Sequence, residues 1–209
     1  MNKEIKKKIR KIFRFRLNSK NRKNLRNKDI TIISQNCIGG VILHDLGLQF
    51  KTPTINLFFS ASDYIKFVKN LDYYLYLDFQ EIETDYNYPV AKLGDLTLHL
   101  VHYHSVEEAE KKWKERVSRI NWNNLYFIMA DRDGATDYEI SEFDNLPFKN
   151  KAFLTYKERP DIHSAYCIPN SKDVTDQIID VCQYKGTFTG RRWIDDFDYV
   201  KFLNSNMEG

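Results

Sequence analysis

LYFIMADRDG, residues 125–134, is an almost wholly apolar run that ends in a charged turn. A continuous apolar run of this length is typical of a strand buried on both faces, as parallel strands are when helices cover both sides of a sheet. The charged residues that follow favour a turn at the carboxyl end of this strand. The stretch therefore predicts an α/β protein, and in open α/β sheets ligands bind beyond the carboxyl ends of the strands.

Capped helices flank this strand on both sides in the sequence. Ser105 and Glu108 have the spacing of a capping box, which marks the start of a helix. Thr136 and Glu139 repeat that spacing after the strand, and residues 152–156 supply the next strand. The apolar positions of the first helix share one face: Val106, Ala109, Trp113, Val117 and Ile120. This alternation extends the α/β prediction along the chain.

The other segments complete a single domain over residues 29–209. Their patterns predict strands at residues 29–34 and 54–59, a turn at Gly39-Gly40, a helix that starts at Ser60, a hairpin within residues 88–104 that turns at Gly94-Asp95, a short strand at residues 166–168, a helix through Val174, Ile178, Val181 and Cys182, and a terminal helix over residues 194–203. We therefore predict a three-layer α/β fold with a mixed, mostly parallel sheet flanked by helices.

Residues 1–28 form a separate basic arm. They carry thirteen Lys or Arg and a single acidic residue, Glu4, whereas the rest of the chain has 19 basic and 28 acidic residues. The apolar residues of the arm recur on one helical face: Ile5, Ile9, Ile12, Phe13 and Leu17. A basic amphipathic helix is typical of binding to an anionic membrane surface, and a solvated tail is the alternative. Nucleic acid is not expected as a partner, because the acidic body would repel it and no recognition motif accompanies the arm.

The composition indicates the cellular compartment of the protein and the redox state of its cysteines. No stretch approaches the roughly 18 uninterrupted apolar residues of a membrane span, and the N-terminus lacks the apolar segment of a secretory signal. The three cysteines are far apart and have no CxxC spacing. A cytoplasmic protein with reduced cysteines is the expectation.

Asp131 and Asp133 are the candidate metal ligands at the end of the apolar strand. Oxygen ligands suit magnesium or manganese, and such an ion would carry the charge of a diphosphate leaving group. The D-x-D spacing is similar to that of nucleotide-sugar glycosyltransferases, and Arg132 between the aspartates is a candidate for substrate binding. A turn with side-chain caps explains the same residues without a metal.

The segment after the first strand is a second candidate for substrate binding. Asn36, Cys37, Gly39 and Gly40 could present backbone N–H groups to a phosphate, although the segment has neither the Walker spacing nor GxGxxG. A tight turn is the alternative. Cys37 as a nucleophile would need a base such as His102, and a structural role is favoured.

His102 and Arg192 complete the candidate set. His102 and His104 would share one face of a strand, and His102 is a candidate general base, with a packed histidine as the default. Arg192 follows a glycine-containing loop and offers a bidentate fork for an anionic group, although a simple surface loop explains it equally well.

From about Ile30 to Tyr156 the chain resembles a bacterial family whose members are commonly labelled exopolysaccharide or capsular polysaccharide biosynthesis proteins. The resemblance is carried by SQNCIGG at residues 34–40, by residues 44–59, and above all by residues 88–127 running into DRDG and LPFKNK. It implies an α/β fold and a cytoplasmic role in making surface glycans. It carries over no catalytic residue.

Together these observations favour a nucleotide-sugar-dependent glycosyltransferase at the inner face of the plasma membrane. In this hypothesis Asp131 and Asp133 hold the metal-bound diphosphate, and His102 or an acidic residue such as Asp133 activates a lipid-linked glycan acceptor. The alternatives are a non-catalytic partner of the assembly machinery, and an acyl or phosphoryl transferase that acts on the same glycan.

Overall fold

The computed structural model describes residues 3–207, and helices and strands alternate along the chain. In chain order the elements are α1 (Lys3–Asn24), β1 (Thr31–Ser34), α2 (Ile38–Leu46), α3 (Ala61–Lys69), α4 (Leu71–Tyr74), β2 (Gln80–Ile82), β3 (Val90–Leu93), β4 (Leu96–His99), α5 (Val106–Val117), β5 (Leu125–Ala130), α6 (Asp137–Asp144), β6 (Lys151–Thr155), β7 (Ala165–Cys167) and α7 (Tyr199–Asn204). Short 3₁₀ helices cover Trp193–Asp196 and Ser205–Met207.

The central sheet contains four parallel strands in the order β1-β5-β6-β7. The apolar strand β5 therefore has a partner on each side. Its side chains alternate between two cores, because Phe127 and Met129 join one and Tyr126 and Ile128 join the other. All four are at most 1% exposed. The prediction of a strand buried on both faces is confirmed.

Helices cover both faces of this sheet. On one face the core gathers Phe67 of α3, Trp113 of α5 and Phe143 of α6 around Phe127. On the other face α2, α7 and the C-terminal segment pack around Tyr126. The predicted three-layer α/β fold is therefore confirmed, and the helices α5 and α6 start at the predicted caps, Ser105 and Thr136.

The antiparallel strands form a second sheet in the order β2-β3-β4. The predicted hairpin turn joins β3 to β4, with Gly94 in the left-handed region at φ 62°. The segment before α3 links the two sheets. Phe58 N donates to His99 O of β4 at 3.0 Å, and Phe59 N donates to Gln35 O after β1 at 2.9 Å. The antiparallel and parallel strands are thus two connected sheets and not one mixed sheet.

Two predictions about loops are wrong. Residues 54–59 form no strand, because Asn56 has φ 64° and interrupts the extended backbone. Gly39 and Gly40 form no turn, because both lie inside α2. A Cβ on Gly39 would lie 2.7 Å from Ser34 Oγ, so glycine is needed there to let α2 approach β1.

Two C-terminal predictions also need correction. No helix passes through residues 174–182: Val174 is fully exposed, Asp176 reverses the chain at φ 65°, and Ile178 N donates to Asp131 O at 2.9 Å. The predicted helix at residues 194–203 is divided at Phe197, whose ψ of 117° is extended. The pattern of apolar residues in these segments reflects docking against the sheet and not helical periodicity.

The basic arm forms helix α1, and its polar side packs against the body. Arg14 and Asn18 are buried and reach Asp45 of α2, while Arg14 also reaches Asp195. Gly190 lies directly beneath the helix, where a Cβ would come within 2.7 Å of Arg10 O and Arg14 N. Several large apolar residues of the helix face solvent: Ile5, Ile12, Phe13 and Phe15. Within residues 3–207, no helix combines the length and apolarity needed to cross a bilayer.

Candidate functional site

A cavity of about 510 Å³ opens where β1 and β5 end. Six of the residues singled out in the sequence line it: Asn36, Cys37, His102, Arg132, Asp133 and Arg192. Two other cavities, of about 590 and 690 Å³, lie beside the C-terminal helix and contain none of these residues. The cavity of about 510 Å³ is the candidate site, because it lies at the carboxyl edge of the parallel strands, where open α/β sheets bind their ligands.

The turn after β1 places Asn36 and Cys37 on the cavity wall. Asn36 Oδ1 accepts the backbone N–H of Ile38 at 3.2 Å, and Gly39 N donates to Ser34 Oγ at 3.1 Å. The N–H groups of Ile38 and Gly39 are therefore already paired within the protein and are not free for a phosphate. Of the described residues, neither Gly39 nor Gly40 lines the cavity.

The thiol of Cys37 is poorly suited to nucleophilic attack. Burial raises the pKa of Cys37 to about 11, and the negative charge of Asp180 acts in the same direction. Its Sγ lies 3.9 Å from Leu57 O, to which it donates. At neutral pH the side chain is a neutral thiol that fills the wall of the cavity.

The turn after β5 brings Asp133 into the cavity. Asp133 has φ 57°, and Gly134 follows at φ 84°, so two consecutive left-handed residues bend the chain sharply. Gln177 Oε1 accepts the backbone N–H of Asp133 at 3.2 Å, and Arg132 Nε lies 3.2 Å from its carboxylate. Burial raises the pKa of Asp133 above its ordinary value, while Arg132 and Asn36 partly offset that effect.

Asp131 has different neighbours from Asp133. Its side chain is buried and accepts a hydrogen bond from Thr155 Oγ1 of β6 at 2.8 Å, and burial raises its pKa. Among the residues that the structure describes, no three His, Cys, Asp or Glu side chains are grouped so that they could hold a metal ion. Asp131 thus supports the strand end, and Asp133 alone of the pair lines the cavity.

Arg192 reaches the cavity from the C-terminal segment. Its Nη1 donates to Cys182 O, and its guanidinium lies over the Tyr184 ring, 4.5 Å from the centroid. Its Nε is 3.7 Å from the carboxylate of Asp45, which also binds Arg14 of α1. A chain of charged groups therefore connects the N-terminal helix to the cavity wall.

His102 lies at the exposed rim, in the loop after β4. Its backbone N–H donates to Asn56 O at 3.3 Å, which attaches the loop to the segment before α3. His99, which no sequence pattern marks as a site residue, lies close to the cavity and is stacked on Phe58 with ring centroids 4.3 Å apart. Burial lowers the pKa of His99, partly offset by the charge of Asp133. His102 therefore lines the cavity, and His99 forms part of its surroundings.

The cavity also contains residues that the sequence did not signal. Phe58, Asp180 and Cys182 reach it from segments that were predicted to be a strand or a helix. These three residues do not belong to any sequence motif that would indicate a binding site. Only the docking of the C-terminal segment against β5, through the bond from Ile178 to Asp131, brings two of them there.

These features define a class: a three-layer α/β protein with a polar cavity at the carboxyl edge of its parallel strands. Residues 8–204 match the family described as a domain of unknown function, DUF1919, and the chain belongs to that family. A Haemophilus influenzae protein, described as uncharacterized, is 42% identical over 201 residues, which cover 96% of this chain and 97% of that protein.

Proposed function

We propose that the chain is a nucleotide-sugar-dependent glycosyltransferase of exopolysaccharide assembly. The observation that carries the proposal is the cavity itself, in which two guanidinium groups, Arg132 and Arg192, lie with the carboxylate of Asp133 beyond the ends of parallel strands. Guanidinium groups bind phosphate oxygens through paired hydrogen bonds. The resemblance to proteins labelled for exopolysaccharide biosynthesis supplies the substrate class.

In this proposal the two arginines bind the diphosphate of the donor. Asp133 accepts the proton of the acceptor hydroxyl, whose oxygen forms a bond to the anomeric carbon of the sugar. The bond from that carbon to the diphosphate breaks, and the nucleoside diphosphate leaves with the electron pair. His102, at the rim, is the alternative base. A magnesium or manganese ion brought by the diphosphate would need only one or two protein carboxylates, and the cavity wall offers Asp180 in addition to Asp133.

Binding of a nucleotide sugar tests the donor site. We expect UDP-sugars to bind the wild-type protein in the presence of manganese. Arg192→Ala is expected to weaken that binding by about 10- to 100-fold, because a charge-assisted hydrogen bond contributes roughly 1.5–3 kcal/mol. Isothermal titration calorimetry measures the change.

Arg191→Ala is the matched control, since Arg191 is adjacent, more exposed, and not among the residues of the cavity wall. Equal binding by wild type and Arg192→Ala, or binding of no nucleotide sugar at all, would contradict the donor site. Retention of full function by the Arg192 and Asp133 variants in cells would favour a non-catalytic partner of the assembly machinery. Transfer of an acyl or phosphoryl group in product analysis would identify the other enzymatic alternative.

We further propose that α1 holds the protein on the anionic inner face of the plasma membrane, where a lipid-linked acceptor is found. Ile5, Ile12, Phe13 and Phe15 are between 47% and 68% exposed. Exposed basic residues lie among them: Lys7, Lys8, Lys11 and Arg16. The buried Arg14 and Asn18 fix the opposite side of the helix to the body, so the apolar and basic side is directed outward. Apolar insertion and attraction to anionic lipid act together in such helices.

Vesicle binding tests this surface. We expect the wild-type protein to bind vesicles that contain phosphatidylglycerol and not pure phosphatidylcholine, and Phe15→Ser to weaken binding by about 10-fold or more, since a buried Phe side chain contributes roughly 1.5–3 kcal/mol. Co-sedimentation measures the bound fraction.

Tyr138→Ser is the control, because Tyr138 on α6 is 69% exposed and Phe15 is 68% exposed. An equal loss in both variants, or no loss in Phe15→Ser, would contradict the orientation of α1. Point variants are preferable to deletion of the arm, because deletion would also remove the buried side chains of Arg14 and Leu25.

A further inference from the structure

Four aromatic rings form a continuous group beside the cavity, here called the aromatic platform: Phe58, Tyr86, Tyr88 and His99. Phe58 and His99 are stacked with centroids 4.3 Å apart and planes 7° apart. Tyr86 and Tyr88 are stacked, with centroids 5.0 Å apart and planes 9° apart, and the rings of Tyr86 and His99 are nearly perpendicular, with centroids 5.4 Å apart and planes at 78°. Phe58 lines the cavity, so the platform starts at the cavity wall and extends outward.

The outermost ring is held in place and yet open to solvent. Tyr86 is 56% exposed, although its ring stacks on Tyr88 and contacts His99. Tyr88 is fixed in turn by a contact of 3.4 Å between its hydroxyl and His99 Nδ1. A ring oriented by its neighbours loses little conformational freedom when a ligand packs on it. An exposed ring that is held in this way offers a ligand a preformed apolar face.

The platform lies on the Asp133 side of the cavity. Phe58 and Asp133 line the same cavity, and the backbone N–H of Ala61, three residues after Phe58, donates to Asp133 O at 2.9 Å. Arg192, in contrast, is attached to Cys182 and Tyr184 of the C-terminal segment. Asp133 and Arg192 therefore reach the cavity from different segments of the chain.

This arrangement decides which part of a substrate meets the platform. A base must lie within hydrogen-bond reach of the hydroxyl that it deprotonates. The nucleobase of a donor is separated from that hydroxyl by the ribose, the diphosphate and the transferred sugar, so it is the part of the donor farthest from the reacting carbon. A sugar ring of the acceptor, in contrast, must lie beside Asp133.

We propose that the aromatic platform is the acceptor subsite, and that Tyr86 packs against the face of a pyranose ring of the glycan. The proposal rests on the proposed glycosyl transfer, which supplies the role of Asp133. The apolar C–H groups on one face of a pyranose match a flat aromatic ring, while its hydroxyls remain in water. The exposure of Tyr86 leaves room for a glycan that continues beyond the site.

An array of bacterial surface oligosaccharides, probed with the purified protein, tests the subsite. We expect the wild-type protein to bind a subset of the glycans, and Tyr86→Ala to bind that subset about 10-fold more weakly. Tyr86→Phe is expected to bind within about twofold of the wild type, because the ring face and not the hydroxyl makes the contact. Tyr73→Ala is the control, since Tyr73 on α4 is 59% exposed and lies outside the platform.

Equal binding of glycans by wild type and Tyr86→Ala, or binding of no glycan by the wild type, would overturn the acceptor subsite. A parallel titration with UDP-sugars separates this result from the donor proposal. Tyr86→Ala is expected to bind UDP-sugars as the wild type does, and an equal loss of UDP-sugar binding would show that the platform holds the donor. Glycan binding that depends on Tyr86 without any binding of nucleotide sugars would leave the subsite standing and refute the proposed donor.

Discussion

Replacement of Arg14 by alanine is expected to lower the free energy of unfolding by about 3–5 kcal/mol, the range found when one partner of a buried ion pair is removed. Arg14 is 7% exposed and forms ion pairs with Asp45 and with Asp195, the latter at 2.6 Å. Both carboxylates have side chains only 3% exposed. Without Arg14 the negative charges of these two carboxylates would remain buried and would lose the positive charge that balances them. Chemical denaturation followed by circular dichroism measures the change.

Arg16→Ala is the matched control, because Arg16 lies on the same helix and is exposed. It is expected to change stability by less than about 0.5 kcal/mol, as surface substitutions do. Equal stabilities of Arg14→Ala and Arg16→Ala would show that α1 is not attached to the body through this pair. Because Arg192 Nε lies 3.7 Å from the same Asp45 carboxylate, loss of Arg14 is also expected to weaken nucleotide binding.

Asp133→Asn is expected to reduce the rate of sugar transfer by about 10²- to 10⁴-fold, the contribution of a positioned general base. The amide keeps the size of the side chain but cannot accept the proton. Burial disfavours the charged form of Asp133 and raises its pKa, so at neutral pH the charge costs stability. The variant is therefore expected to be at least as stable as the wild type, which separates loss of catalysis from loss of folding.

The pH profile gives a second readout for Asp133. The base acts in its ionised form, so activity should fall on the acid side with a midpoint above 3.8, the ordinary pKa of an aspartic acid. Asp137→Asn is the control, because the side chain of Asp137 is 85% exposed and lies at the start of α6. Unchanged transfer by Asp133→Asn would assign the base to another group, for which His102 is the next candidate.

Local signals explain why the central elements could be predicted from the sequence. The apolar run of β5 is buried on both faces, and the caps at Ser105 and Thr136 are made by side chains only a few residues from the groups that they bind. The turn at Gly94 needs a left-handed residue at one position. Each of these features is determined by neighbours in the chain, which is why residue pattern was sufficient.

Features that depend on distant partners could not be predicted in this way. The apolar stripe of α1 suggested its amphipathic character, but the side that packs on the body is centred on Arg14 and Asn18. The partner of Arg14 on α2 is 31 residues away in sequence, and its second partner is 181 residues away. In the same way, Arg192 and Cys182 line the cavity because the C-terminal segment docks on β5 and α2, without a helix at residues 174–182. The sequence therefore indicated several residues of the candidate site, but it did not indicate the tertiary contacts that bring them to one cavity.

The central claim is that the cavity at the carboxyl edge of β1 and β5 binds a nucleotide sugar. A crystal structure of the protein with a bound UDP-sugar tests it most directly. We predict that the diphosphate contacts Arg132 and Arg192 and that the sugar is directed toward Asp133. A nucleotide sugar bound outside this cavity, or a cavity without ligand at saturating UDP-sugar, would contradict the account.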